Sequence, residues 1–188
     1  MPQRFLFAAL AALSLLTVSL PAAAQGLGNC GHVTVCETSC AEGDAQACGA
    51  LARAYSEGTG GVDPDVTRAT AYGQRACELG DGDTCNRLGR AYEQGGLTGD
   101  RAEAVASLKQ AEVFYGRACS AGISTACGAQ GRLLLYGSGG RADPRNAVAL
   151  FSKGCAKGDG GACAVLASLH VTGYAVSKDA SKASMYER

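Results

Sequence analysis

The sequence predicts an all-α protein, a solenoid of stacked αα-hairpins with one disulfide staple per repeat. Three observations carry that expectation. The frame Cys-x7-Cys occurs four times, as CAEGDAQAC (Cys40–Cys48), CELGDGDTC (Cys77–Cys85), CSAGISTAC (Cys119–Cys127) and CAKGDGGAC (Cys155–Cys163). The first cysteines fall at 40, 77, 119 and 155, spacings that suit repeated helical hairpins. Between the frames, apolar and small residues recur at helical offsets, and a glycine follows each set.

The chain opens with a segment to be set aside from the fold. Residues 1–24 have the layout of a secretory signal peptide: Arg4, a mostly apolar run from Phe5 to Leu20, and Ala22-Ala23-Ala24 after Pro21 as the cleavage site. The run is shorter than the roughly 20 apolar residues of a spanning helix, and no later stretch is long and apolar enough to span. Leu27 to Cys30 resembles a lipoprotein processing site only in outline, because Asn29 is too large and lies too far behind the apolar run. The expected location is periplasmic or extracellular. Residues 25–39 form an N-terminal cap segment. All ten cysteines follow the signal segment, and an even number in an oxidising compartment argues for disulfides. Cys30 and Cys36 lie outside the four frames and are paired by exclusion.

Each frame implies a chain reversal. Eight residues along one α-helix rise about 12 Å, whereas bridged cysteines need Cα atoms roughly 4.4–6.8 Å apart. Gly80 ends one helix and Asp81 or Asp83 begins the next; Gly43-Asp44, Gly122 with Ser124, and Gly158-Asp159 give the same stop and start. Zinc is the competing use of paired cysteines, but its sites favour closer spacing and often histidine. No metal and no other cofactor is expected.

From each second cysteine a first helix runs through Leu51, Leu88, Gln130 or Leu166, and then through Ala52, Gly89, Gly131 or Ala167, which are small enough for close helix approach. It continues through Tyr55, Tyr92, Leu134 or His170 and ends at Gly58, Gly95, Gly137 or Gly173. After a glycine-rich loop, Asp63, Asp100, Asp143 or Asp179 caps a second helix, with Pro64 and Pro144 in the first helical position after two of them. Asp100 with Glu103 makes a capping-box-like start. The second helices pass through Ala69/Tyr72, Ala111/Phe114, Ala147/Leu150 and Ala183/Tyr186, the second of them about one and a half turns longer than the others. No Trp and only four Phe mean that each hairpin buries little. Closing an eight-residue loop is worth about 2.5 kcal/mol in the chain-entropy model. The staples thus compensate for a thin core.

The pattern from Cys85 to Gly95, CNRLGRAYEQG, with its GxxD loop, AxxY and closing AC, resembles the Sel-one-like repeat. With Cys-x7-Cys added it is similar to the Helicobacter cysteine-rich protein family. The likeness covers residues 40–188 as four units, 40–76, 77–118, 119–154 and 155–188. Departures are Gln130 at the usual Leu, Leu134 and His170 at the usual Tyr, and the longer second helix. The fourth unit stops at Arg188, before a further first cysteine would occur, so its last helix is expected to fray or to be covered by a partner. The resemblance implies a right-handed, tetratricopeptide-like solenoid that works as a binding scaffold. It also implies a second activity, weak β-lactamase or penicillin-binding chemistry.

The residues favour the scaffold. Neither Ser-x-x-Lys nor Lys-Thr-Gly is present, and the two histidines, His32 and His170, are too few for a zinc lactamase. Ser138 in YGSGG aligns with Thr59 in an interhelical loop, where a nucleophile elbow would need a strand before it. His170 occupies a packing position with no acid or nucleophile placed beside it. Asp81-Gly82-Asp83 lacks the further ligands of a calcium loop. With 17 basic and 17 acidic side chains there is no electrostatic case for nucleic acid. The candidate binding residues are Arg53, Arg90 and Arg132, five positions after successive second cysteines, with Ser168 at the fourth. Stacked at helix-packing distances of roughly 8–10 Å, they would clamp carboxylates of a protein, a peptide or a cell-wall fragment. The competing reading is a solvated face with local pairs, Arg53 with Glu57 and Arg90 with Glu93.

Overall fold

The structure is a computed structural model that describes residues 27–96 and 100–187. The expected signal peptide and residues 97–99 of the second interhelical loop lie outside the described residues. Among the described residues a 3-10 turn at Gly28–Cys30 is followed by nine α-helices, with no strand. They are α1 (Val33–Ala41), α2 (Ala45–Glu57), α3 (Val66–Glu78), α4 (Gly82–Gly96), α5 (Arg101–Ser120), α6 (Ser124–Tyr136), α7 (Pro144–Ala156), α8 (Gly160–Thr172) and α9 (Ala180–Tyr186). Hairpins α2–α3, α4–α5, α6–α7 and α8–α9 stack in sequence order, and α1 packs on α2. This is the all-α repeat solenoid that the cysteine frames imply. The longer second helix appears as α5, with 20 residues against 13 in α3 and α7.

All five disulfides form: Cys30–Cys36, Cys40–Cys48, Cys77–Cys85, Cys119–Cys127 and Cys155–Cys163. In the four repeated frames the Cα atoms are 4.7–4.8 Å apart. Each of these bonds joins the second helix of one hairpin, or α1, to the first helix of the next. Those junctions are packed less extensively than the hairpins α2–α3, α4–α5 and α6–α7 themselves. The covalent links therefore reinforce junctions that pack less than those three hairpins.

The corners are built alike. Gly43, Gly80, Gly122 and Gly158 have φ between 89° and 103°, the left-handed backbone that ends a helix. The next residue donates its N–H back across the turn: Asp44 to Ser39 O, Asp81 to Ala76 O, Ile123 to Ala118 O and Asp159 to Gly154 O, at 2.9–3.0 Å. In three corners the same residue then opens the following helix with its carboxylate. Asp44 accepts from Gln46 and Ala47, Asp81 from Thr84, and Asp159 from Gly161 and Ala162. The third corner differs from the expected start at Ser124. Ile123 is the cap there and makes no side-chain bond. Gly82 lies against it instead; a Cβ on Gly82 would sit 2.7 Å from that of Ala121 and 3.1 Å from Ile123.

Two further expectations are corrected. The cap of α3 is Asp65, not Asp63, and Pro64 stands outside the helix. The reason is a main-chain latch within the first, third and fourth hairpins, in which the capping residue donates its N–H to the first helix. Asp143 reaches Leu134 O and Asp179 reaches His170 O at 2.8 and 3.0 Å. Asp65 makes the equivalent bond to Tyr55 O at 2.8 Å. Gly58, Gly137 and Gly173 end their helices in the left-handed conformation, but Gly95 does not, because α4 continues to Gly96. A Cβ on Gly96 would meet Leu108 at 2.6 Å, so the two extra residues of α4 pack against the lengthened α5.

The core is a row of small clusters. Ala76, Ala111, Ala118, Ala126 and Ala147 are fully buried, with Tyr115, Phe151, Leu51 and Leu166 as the large members. Gly89 and Gly131 admit the rings of Tyr115 and Phe151, at 2.7 and 2.9 Å from a hypothetical Cβ. Aromatic pairs cross three hairpins: Tyr55 stacks on Tyr72, Tyr92 on Phe114 and His170 on Tyr186, with centroids 5.4–5.8 Å apart. In the segment expected to be a cap, α1 supplies Glu37, whose Oε1 accepts from the hydroxyls of Tyr55 (3.4 Å) and Tyr72 (3.3 Å). Leu27 is fully buried against Gly60.

Two glycine substitutions test the corner. A Cβ on Gly128 would lie against Asp159 Oδ2. Gly128→Ala is expected to destabilise the chain by about 1–3 kcal/mol through overpacking. Gly160, with open space around it, is expected to gain about 0.4–1 kcal/mol on replacement by Ala. Urea denaturation of both variants checks the opposite signs.

Candidate functional site

The helices that follow each corner present the same register position five residues after the second cysteine. Arg53 on α2, Arg90 on α4, Arg132 on α6 and Ser168 on α8 occupy it, and all four are exposed. The structure brings two of the arginines together. Arg90 and Arg132 line one cleft of about 520 Å3 with Glu93, Tyr115 and Asp159. Arg53 lies outside that cleft and instead shares a hollow with Arg87.

The expected local pairs are replaced by a link between hairpins. Glu93, in the last turn of α4, does not pair with Arg90; its Oε1 meets Arg132 Nη2 at 4.0 Å, while its Oε2 accepts the Tyr115 hydroxyl at 2.5 Å. Among the described residues neither Arg53 nor Arg90 has a carboxylate oxygen within 4.0 Å. Burial, reinforced by the bond to Glu93, holds the Tyr115 phenol above its usual range. It is therefore a fixed donor at neutral pH, orienting a carboxylate that in turn holds Arg132.

The residues weighed for catalysis sit in structural places. Ser138 lies in the turn after α6, its N–H donating to Leu133 O as the N–H of Thr59 donates to Ala54 O. His170 is 8% exposed, with Nδ1 3.2 Å from Ser177 O and its ring on Tyr186. Among the described residues no group of three or more His, Cys, Asp or Glu is arranged to hold a metal ion. No described helix is long and apolar enough to cross a membrane. Sequence reasoning missed Arg87 and the Glu93–Tyr115 bond. The signal for Arg87 was present, since the second position after the other second cysteines is Ala50, Ala129 or Val165.

Stacked αα-hairpins that expose one helix face at a repeating position define a helical-repeat solenoid with its available chemistry on the surface. The Sel1 repeat model matches residues 45–81, 82–123, 126–159 and 161–186, so the chain belongs to the Sel1 repeat family. These units follow the hairpins, and the two cysteines of each later frame fall in adjacent units or at their boundary. Among solved structures, a Sel1 repeat protein from Oxalobacter formigenes is similar over 82% of this chain and 60% of its own, with 24% identity and a TM-score of 0.68. A protective antigen of uropathogenic Escherichia coli strains that displays an SLR fold is similar over 82% of this chain and 32% of its own, with 22% identity and a TM-score of 0.66. The chain thus spans about three fifths and one third of the lengths of these two proteins. No curated protein matches the chain.

The Tyr115 phenol gives a pH prediction. Its raised pKa means that the folded state favours the neutral form, so this contribution is complete below the unfolded value of about 10 and is lost as pH rises beyond it. Tyr115→Phe is expected to cost about 1.5 kcal/mol at neutral pH. The difference between wild type and variant should shrink above about pH 10, as followed by denaturant titration.

Proposed function

We propose that the chain is an exported, disulfide-stapled scaffold of the bacterial envelope that binds a protein or peptide partner, using Arg53, Arg90 and Arg132 to contact its carboxylates. Sel1 repeats generally mediate protein–protein interaction, which supports the scaffold reading. Five disulfides suit an oxidising compartment, which supports export. The observation that carries the site is the repeated exposed arginine, of which Arg53 and Arg90 have no contacting carboxylate among the described residues. An exposed guanidinium with free N–H groups is ready for bidentate recognition of a carboxylate.

Crosslinking of the oxidised protein in envelope extracts tests this reading. A defined protein partner is expected, and replacing all three arginines by Ala should weaken its capture about tenfold, with an unchanged circular dichroism spectrum. Unchanged capture overturns the arginine site, and recovery of cell-wall fragments in place of protein overturns the partner class. The oxidised protein is also expected to show only background turnover of a β-lactam. Hydrolysis that co-purifies with the protein and disappears on reduction would replace the scaffold with an enzyme.

A further inference from the structure

Between α2, α3 and α4 lies a hollow of about 230 Å3. Ala52, Ala69 and Leu88 line its apolar part, and Arg53 and Arg87 stand on the same hollow. Val66, 80% exposed, extends the apolar surface at its edge. The volume is below the roughly 300–1,000 Å3 of sites for drug-sized ligands. It suits one side chain.

Arg87 is held in place from one end. Its Nη2 donates to Thr84 Oγ1 at 2.9 Å and to Gly49 O at 3.5 Å. Thr84 is 2% exposed and itself donates to Asp81 Oδ2 at 2.7 Å. The hydrogen bonds of Arg87 thus run to a hydroxyl and a carbonyl, and no carboxylate oxygen lies within 4.0 Å of Arg87 or Arg53 among the described residues. Burial, and next the nearby Arg53, lower the Arg87 pKa, while Asp81, Glu57 and Asp83 act against that from a distance. Two cations therefore adjoin an apolar hollow without a contacting counter-ion. The complementary ligand carries a carboxylate beside an apolar side chain, and the last residue of a polypeptide has both on one Cα atom.

We propose that this hollow receives the C-terminal residue of a partner polypeptide, its apolar side chain against Ala52, Ala69 and Leu88 and its carboxylate on Arg53 and Arg87. The assignment rests on the peptide-binding reading above and specifies the feature of the partner that is read. The Arg87 guanidinium, held by Thr84 and the Gly49 carbonyl, and the exposed Arg53 guanidinium place two donors on the carboxylate. Internal segments lack that carboxylate, so the site discriminates chain ends.

Random hexapeptides ending in Leu, Ile or Phe, passed over the immobilised oxidised protein as free acids and as C-terminal amides, test the proposal. A third set places Glu before an amidated Leu. Free acids are expected to bind about tenfold tighter than amides, and Arg53→Ala should remove that preference. Thr70→Trp, which fills the hollow from α3, should abolish retention while intact mass and circular dichroism show five disulfides and an unchanged fold. Equal retention of acids and amides, or no retention of either, overturns the proposal, as does a Thr70→Trp variant that folds and still binds. Retention of the third set as strong as that of the free acids moves recognition to a side-chain carboxylate and overturns the terminal assignment. If crosslinking captures a protein partner while the free acids fail, the scaffold reading stands and the hollow does not. If both fail, both readings fall.

Discussion

The corner before each first helix governs this molecule, and at three of the four a single residue serves two helices. Asp44, Asp81 and Asp159 each close one helix with the backbone N–H and open the next with the carboxylate. A helix end leaves backbone groups without partners, and at these three corners the same aspartate supplies a partner to both ends. The glycine before each aspartate provides the backbone conformation that makes the dual role feasible. The aspartate also fixes the stacking distance. Its outer oxygen lies where a Cβ on Gly49 or Gly128 of the preceding first helix would be, so successive first helices approach through a glycine and a carboxylate. The disulfide then ties together two helices already brought within its reach.

Within a hairpin the tolerance is wider. The crossing pair is Tyr55 on Tyr72, Tyr92 on Phe114 and His170 on Tyr186, whereas Leu134 and Leu150 hold the matching sequence positions in the third hairpin. A flat apolar contact is the requirement, and aromatic, imidazole and aliphatic side chains all meet it. Polar groups at these positions are satisfied by whatever stands nearest: Glu37 from α1 for the first pair, the Ser177 carbonyl for His170. Variation in the pair leaves the solenoid intact because the backbone latch from the second-helix cap, at Asp65, Asp143 and Asp179, does not depend on the side chain it faces.

The corners were legible in the sequence because their chemistry is local. Cysteine spacing and a glycine, with an aspartate in three of the four frames, lie within nine residues, and the limits of helix geometry turn that spacing into a reversal. The hairpin loops were less legible, since two aspartates, Asp63 and Asp65, compete as the α3 cap and the choice is made by a bond to Tyr55 on another helix. Gly95 misleads for a similar reason: the contact between Gly96 and Leu108 that favours a longer α4 depends on the partner helix. The arginine positions were visible as a repeat, but their surroundings were not. Whether Glu93 turns to Arg90 or to Arg132 is decided by Tyr115, which comes from α5 and reaches across the hairpin. Arg87 has the same character, because Thr84 and the Gly49 carbonyl that hold it belong to two different hairpins.

The disulfides close short loops, with cysteines six or eight residues apart in sequence. None waits for a distant segment of chain. In a chain exported as proposed above, both cysteines of each pair would emerge before the first cysteine of the next, because the pairs follow one another without overlap in the sequence. None of the five loops nests within another or interleaves with it, so each corner can be locked independently of the rest.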